Sequence, residues 1–330
     1  MTNTEHPFAP FVRILGKGKK GSRSLTAEEA QQAMTMILDH QVTPEQLGAF
    51  LMLLRVKEES PEELCGFVNA VREQMSKPLP LKADLDWSTY AGKKRHLPWY
   101  FLAALTLADS GVNVCMHGAR GHTAGRIYIE DMLGQFGLKA ARSWFDAELD
   151  LNETGICYLP LELISPELSR IINLRPILGL RSPVHTLSRL INPLDAPYRI
   201  DGVFHPAYGP MHQQTAQLLG QSNSVTIRGD GGEAEIRPDA DCTLQWVKQG
   251  EYEDQVWPRL LSKRLTRPDN LDPSDLLSIW KGEQSCEYGE HAVTETLAVC
   301  LVLMGKAASI DAAREQSVSL WQQRNRQRYG

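Results

Sequence analysis

Three hydroxyl residues, each followed three positions later by a carboxylate or an amide, constrain the first quarter of this 330-residue chain. Thr26 with Glu29, Thr43 with Gln46 and Ser60 with Glu63 have the spacing of capping boxes, in which two side chains satisfy the orphan N–H groups that begin a helix. Pro44 and Pro61 stand at the first helical position, where a missing N–H costs nothing. Behind the caps, apolar residues recur at helical spacing: Ala30, Ala33, Met34, Ile37 and Leu38, then Leu47, Phe50, Leu51 and Leu54, then Leu64, Phe67, Val68 and Val71. The pattern predicts three short amphipathic helices, ended by Lys77-Pro78-Leu79-Pro80. A unit of three helices buries little by itself, so part of its apolar surface is expected to pack on a second copy of the chain.

After the prolines the pattern changes to short apolar strands alternating with helices. Strands are expected at 85–89, 112–116, 156–159 and 225–227, and helices at 99–108, 127–136, 290–304 and 310–322. Such alternation implies an α/β domain with a largely parallel sheet, whose ligands gather at the carboxyl ends of the strands.

The formal net charge of -5 excludes a surface that is basic throughout, so any binding of phosphates or nucleic acid has to come from a local patch. The six cysteines have no metal-like spacing and read as free thiols. The first ten residues lack the basic and apolar regions of a signal peptide, and no apolar run is long enough to cross a bilayer. A cytoplasmic protein without membrane association is expected.

The segment from Thr26 to Glu73 closely resembles the amino-terminal helices of anthranilate phosphoribosyltransferases. Three later segments fall in that family's order: VNVCMHGAR at 112–120, NLRPILGLRSPVHTLSRLINPL at 173–194 and GDGGEAEIRP at 229–238. The resemblance implies a small all-helical domain at 1–80, joined by a short part near 165–190, and a large α/β domain at 81–330. It also implies a nucleoside phosphorylase-like fold, a cleft between the domains and a homodimer contacting through the N-terminal helices. In active members the cleft transfers a phosphoribosyl group from its diphosphate donor to anthranilate with magnesium.

Position by position, the resemblance assigns a site that has changed its chemistry. The family's glycine-rich GTGGD loop, whose amides approach the diphosphate, corresponds to Ser88–His96, where only Gly92 remains of the glycine pairs. Lys93, Lys94 and Arg95 make that stretch cationic, so side chains are expected to attract phosphate there. The family's KHGNR appears as Met116-His117-Gly118-Ala119-Arg120: His117, Gly118 and Arg120 match, while a lysine and an asparagine are lost. In the next segment, GHTAG, which resembles the GHTGG of pyrimidine nucleoside phosphorylases, Thr123 is the best hydroxyl for a phosphate; a helix N-cap is its other reading. Arg175 matches the arginine that holds the anthranilate carboxylate, and Gly179, Arg181, Asn192 and Pro193 complete that motif, with Arg181 read as a structural ion pair. The magnesium motif, adjacent Asp and Glu, reads Ala234-Glu235, which leaves Glu235 as a weakened metal ligand or as part of an exposed acidic turn. Glu233, one place from the lost aspartate, points to the opposite side in an extended segment. No general base or nucleophile stands out, although His117 and His122 are the nearest candidates.

Basic residues also cluster outside this motif set. Lys17, Lys19, Lys20 and Arg23 read as a mobile arm, and Lys263, Arg264 and Arg267 form a second group. If the arm shares a face with the Lys93–Arg95 loop and Arg120, the result is a groove for a polyanion. The losses are similar to those of the divergent YbiB-type subgroup of glycosyltransferase family 3, which implies a phosphate-binding protein with single-stranded nucleic acid or a phosphorylated small molecule as its expected partner. The alternative is an active pentosyltransferase, anthranilate phosphoribosyltransferase-like or nucleoside phosphorylase-like, with a different acceptor. No cofactor other than weakened magnesium is expected.

Overall fold

The computed structural model describes residues 5–18, 20–76, 81–121, 123–264 and 270–330. All three capping boxes form, at the starts of α2 (Ala27–Leu38), α3 (Pro44–Lys57) and α4 (Pro61–Gln74). A helix that the capping pattern did not announce, α1 (Ala9–Gly16), precedes them and packs on α3. The proline break at 77–80 lies outside the described residues.

From there the chain alternates between strand and helix. It runs through β1 (Leu85–Thr89), α5 (Trp99–Asp109), β2 (Val114–Gly118), α6 (Trp144–Thr154) and β3 (Ile156–Pro160). Four short helices follow: α7 (Leu161–Ile164), α8 (Pro166–Ile172), α9 (Arg175–Leu178) and α10 (Val184–Leu187). Then come β4 (Tyr198–Val203), α11 (Tyr208–Leu218), β5 (Asn223–Arg228), β6 (Cys242–Lys248), β7 (Glu251–Trp257), α12 (Ser274–Lys281), α13 (Glu287–Leu303) and α14 (Ile310–Gln323).

The strands form one sheet in the order β3-β2-β1-β4-β5-β6-β7. The first five are parallel, with β1 between β2 and β4, and β6 and β7 add an antiparallel hairpin. Strand order reverses between β1 and β4, the place where open α/β sheets leave a crevice at their carboxyl ends. Alternation along the central strands sends side chains to two different surroundings. Leu85, Trp87, Val114, Met116 and Ile200 join α5, α13 and α14 in one core, and residues of α1–α4, α7, α8 and α10 share a second core on the other side of the sheet. Asp86, His117, Arg199 and Asp201 lie between those apolar positions and are fully buried.

One predicted element is corrected. Residues 127–136 do not form a helix: Ile127 pairs with Lys93 as an antiparallel bridge, and only Leu133–Phe136 makes a short 3-10 turn. Buried Ile129, Met132, Leu133 and Phe136 have the spacing of a helix face, but the bridge at Ile127 holds the start of the segment extended.

Candidate phosphate-binding site

Loops from the carboxyl ends of β1, β2, β4 and β5 meet at one edge of the sheet, and the residues singled out by sequence fall there unevenly. The loop after β1 is closed from within. Ala91 N and Gly92 N both donate to Glu233 Oε1, at 2.7 and 2.5 Å. The Nζ of Lys93, fully buried, lies 2.6 Å from Glu235 Oε1 and 3.8 Å from Asp230 Oδ2, and Glu235 Oε2 accepts from Tyr100 N at the start of α5. Lys93 is thus an internal counter-ion and not an exposed phosphate contact, which corrects the expectation for that residue; Lys94 and Arg95 are exposed.

Glu233 and Glu235 are also buried, so the expected exposed acidic turn does not exist. The chain turns tightly at Ala234, with Glu235 N donating to Glu233 O at 2.9 Å, so both carboxylates reach the same loop while Ala234 between them enters the sheet core. Burial pushes both carboxyls above their ordinary range; Arg189, the two amides and Lys93 pull Glu233 back, and Lys93 with Tyr100 N pulls Glu235 back. Magnesium does not fit this donor set. The carboxylate the resemblance assigns to the metal already has an ammonium at hydrogen-bond distance, and its former neighbour is an alanine in the core.

His117 leaves the site as well. Its ring is fully buried beneath the sheet edge, with Nδ1 2.9 Å from Tyr90 Oη and Nε2 3.3 Å from Asp86 Oδ1. Gly118 is glycine for packing reasons: a Cβ there would meet Thr89 O at 2.4 Å and Tyr158 Oη at 2.5 Å. Arg120 is exposed and paired with Glu130 at 2.7 Å. His122 lies outside the described residues.

What the loops do gather is arginine. Arg175 Nη1 donates to Thr123 Oγ1 at 2.5 Å, and Arg181 Nη2 reaches the same oxygen at 3.5 Å. Thr123 caps no helix, since the residues after it run through turns. No carboxylate pairs with Arg181 among the described residues, contrary to the ion pair expected of it. Burial together with Arg126, Arg189 and Arg175 lowers its pKa to about 10. Four guanidinium groups therefore share one region. Arg126 also holds the carbonyls of Ala91, Gly92 and Gly231, and Arg189 donates to Gly202 O. Arg126 and Arg189 were not singled out from the sequence, although Arg126 follows GHTAG directly and Arg189 lies within the segment matched at 173–194.

Two cavities bear on the site, of which the smaller is lined by two arginines of the cluster. One, about 110 Å³, has Arg55, Glu59, Arg181, Arg189, Phe204, His205 and Tyr208 among its walls, where α3 faces the end of β4. Phe204 is half exposed and meets His205 edge-on. The other is an open groove of about 740 Å³ beyond β2 and β3, with Arg120, Lys139, Arg142, Ser169 and Asn173 among its walls.

The basic arm is corrected in part. Arg23 is tied to Glu29 by two bonds of 2.6 and 2.7 Å, and its amide bonds Ile14 O, so it is not part of a loose arm. Lys17 and Lys20 are exposed, as are Lys263 and Arg264; Lys19 and Arg267 lie outside the described residues.

Residues 11–75 match the helical bundle domain of a glycosyl transferase family, and residues 101–319 match that family's a/b domain. The anthranilate phosphoribosyltransferase of Novosphingobium aromaticivorans is 29% identical over 301 residues, covering 86% of this chain and 88% of the relative. An uncharacterized protein of Aquifex aeolicus is 27% identical over 319 residues, covering 93% and 95%. Among solved structures, anthranilate phosphoribosyltransferase from Thermus thermophilus superposes with a TM-score of 0.76 at 21% identity, covering 96% of each chain. The Saccharomyces cerevisiae enzyme in complex with PRPP and Mg gives 0.77 at 16% identity, covering 97% of this chain and 94% of its own. With both family domains matched in order and the second covering more than half its length, this chain belongs to glycosyl transferase family 3.

Proposed function

We propose that this protein binds phosphate-rich ligands, single-stranded nucleic acid foremost, through the arginine cluster and the two cavities beside it. The observation that carries the reading is Arg181, a partly buried guanidinium crowded by three others with no carboxylate partner among the described residues. Such crowding costs free energy that a bound anion recovers, since charge-assisted hydrogen bonds to phosphate are each worth about 1.5–3 kcal/mol.

Two features favour a nucleotide chain over a lone phosphate. Phe204, His205 and Tyr208 set aromatic faces beside Arg181 and Arg189, the combination that stacks bases while neutralising their phosphates. Arg175 contacts Thr123, Arg181 reaches that same hydroxyl, and Asn173, two residues before Arg175, lines the larger groove that holds Arg120 and Arg142. On this reading the nucleotide chain runs from the small cavity past Arg175 toward the groove.

The test is fluorescence anisotropy with a labelled single-stranded oligonucleotide at low salt. Binding is expected to weaken steeply as salt rises, with a logarithmic slope of about -0.7 per phosphate neutralised. Replacing Arg175 and Arg181 together by glutamine should weaken it at least tenfold. No affinity at low salt eliminates the reading.

Family membership supports a second reading, a pentosyltransferase with an acceptor other than anthranilate. It requires binding of a phosphoribosyl diphosphate, so calorimetry with that donor and magnesium that stays flat at millimolar concentration counts against it.

A further inference from the structure

Two side chains sit where a phosphate loop would take an anion and a cation. Glu233 Oε1 accepts from two consecutive amides, Ala91 N and Gly92 N, the arrangement by which a backbone nest holds one phosphate oxygen. Beside it Lys93 Nζ lies between Glu235 and Asp230, where a divalent cation would find its carboxylates. The surrounding backbone leaves room to bring Glu233 there. A Cβ on Gly202 would lie 2.4 Å from the Glu233 carbonyl carbon, and one on Gly229 would lie 1.7 Å from the Glu233 carbonyl oxygen. Arg126 Nη1 then ties the two loops together through Ala91 O, Gly92 O and Gly231 O. Glycine at 202 and 229 therefore admits Glu233, and Arg126 locks it against the amides.

We propose that this loop is a latent diphosphate site which the chain fills with its own charges, Glu233 standing in for a phosphate and Lys93 for the metal. Two consequences follow from the stand-ins. The amides accept an external phosphate only when the Glu233 carboxylate is gone, because both anions require the same two donors. Once it is gone, the anion is taken without metal, since the Lys93 ammonium already supplies the positive charge and engages the carboxylates a metal would need. The proposal concerns the amides of Ala91 and Gly92 and not the contacts of Arg175 and Arg181 at Thr123, and Arg126, which borders both, stays unchanged in the test, so either inference can fail without the other.

The experiment titrates inorganic pyrophosphate calorimetrically into the full chain carrying Arg175→Gln and Arg181→Gln, which removes the two arginines at Thr123 and leaves Arg126 and Arg189 the same in every comparison. The same titration is made after adding Glu233→Ala or Glu233→Gln, each in EDTA and again with magnesium. Pyrophosphate is expected to bind the Glu233→Ala protein at least tenfold more tightly than its parent, with the same affinity in EDTA. Glu233→Gln, which keeps an acceptor for the amides and drops the charge, should fall between them. Equal affinity in the parent and both variants overturns the proposal, and so does a gain that appears only with magnesium. Where Glu233→Ala loses the far-ultraviolet circular dichroism of the parent, Glu233→Gln decides alone, and no gain in it is a refutation.

Discussion

An ammonium group with no exposed surface persists only beside a carboxylate, and Lys93 meets that condition at Glu235, 2.6 Å away. Replacing Lys93 by methionine leaves Glu235 and Asp230 facing each other without a counter-ion, which should cost about 3–5 kcal/mol in urea unfolding. The double change Lys93→Met with Glu235→Leu should recover part of that loss, because it removes the stranded charge as well. If the single variant unfolds at the same urea concentration as the parent, the pair contributes no net stability. In the sequence, Lys93, Lys94 and Arg95 read as three equivalent cations. Among the described residues only the first has an ion-pair partner, and its nearest lies 142 positions away, a distance over which no local pattern carries information. Glu233 was set aside for a related reason. Its side opposite Ala234 was read correctly, but the amides waiting on that side belong to a loop 141 positions earlier. Arg175, in contrast, is singled out by a motif of several residues, and it lies beside Thr123, another residue singled out from the sequence.

At the scale of elements, the signals that worked were those in which a few neighbouring atoms decide the outcome. Capping boxes are of this kind, and each of the three formed with its reciprocal bonds. The first of them makes a pH prediction. Its Glu29 carboxyl is held at about 2, by the Arg23 guanidinium foremost and by the Thr26 amide, below the usual 4.5. A carboxyl lowered on folding stabilises the native state above its unfolded value and loses that contribution as pH falls toward the folded one. The Arg23–Glu29 pair is exposed, so solvent screening keeps its contribution small. Glu29→Gln should therefore lower the melting temperature slightly at pH 7, with the gap to the parent closing between pH 4.5 and 2; a gap that persists at pH 2 contradicts the assignment. Elements set by distant pairing were harder to read. The 127–136 segment carries a helical spacing of apolar residues, yet its bridge to Lys93 holds its start extended. The β6–β7 hairpin was missed although Gln249 and Gly250, both at positive φ, form its two-residue turn. Alternation gave no help there, because β6 is buried on both faces for most of its length and β7 is mostly exposed.

At the scale of the whole molecule, the outer face of α3 is left apolar and uncovered. The helix buries Leu47, Phe50, Leu51 and Leu54 against α1 and its neighbours, yet Ala49, Met52, Leu53 and Val56 follow the i, i+3, i+4, i+7 spacing on the other side. Ala49 and Val56 are exposed, Val56 at 82%, and Met52 and Leu53 are only partly covered. A helix that is apolar on both sides is expected to be buried on both, and one copy of this chain covers only one of them. A second copy placing the same stripe against it would do so through a two-fold interface, the commonest way for identical chains to pair. Light scattering should then give twice the 36.9 kDa chain mass. Val56→Glu is the sharpest probe, because so exposed a side chain contributes little to the fold of a single copy. The variant should elute with the mass of one chain and lose the concentration dependence of melting that a dimer shows, while its far-ultraviolet circular dichroism stays that of the parent. A parent chain that already scatters as a monomer at micromolar concentration would leave the α3 stripe without the partner its spacing calls for.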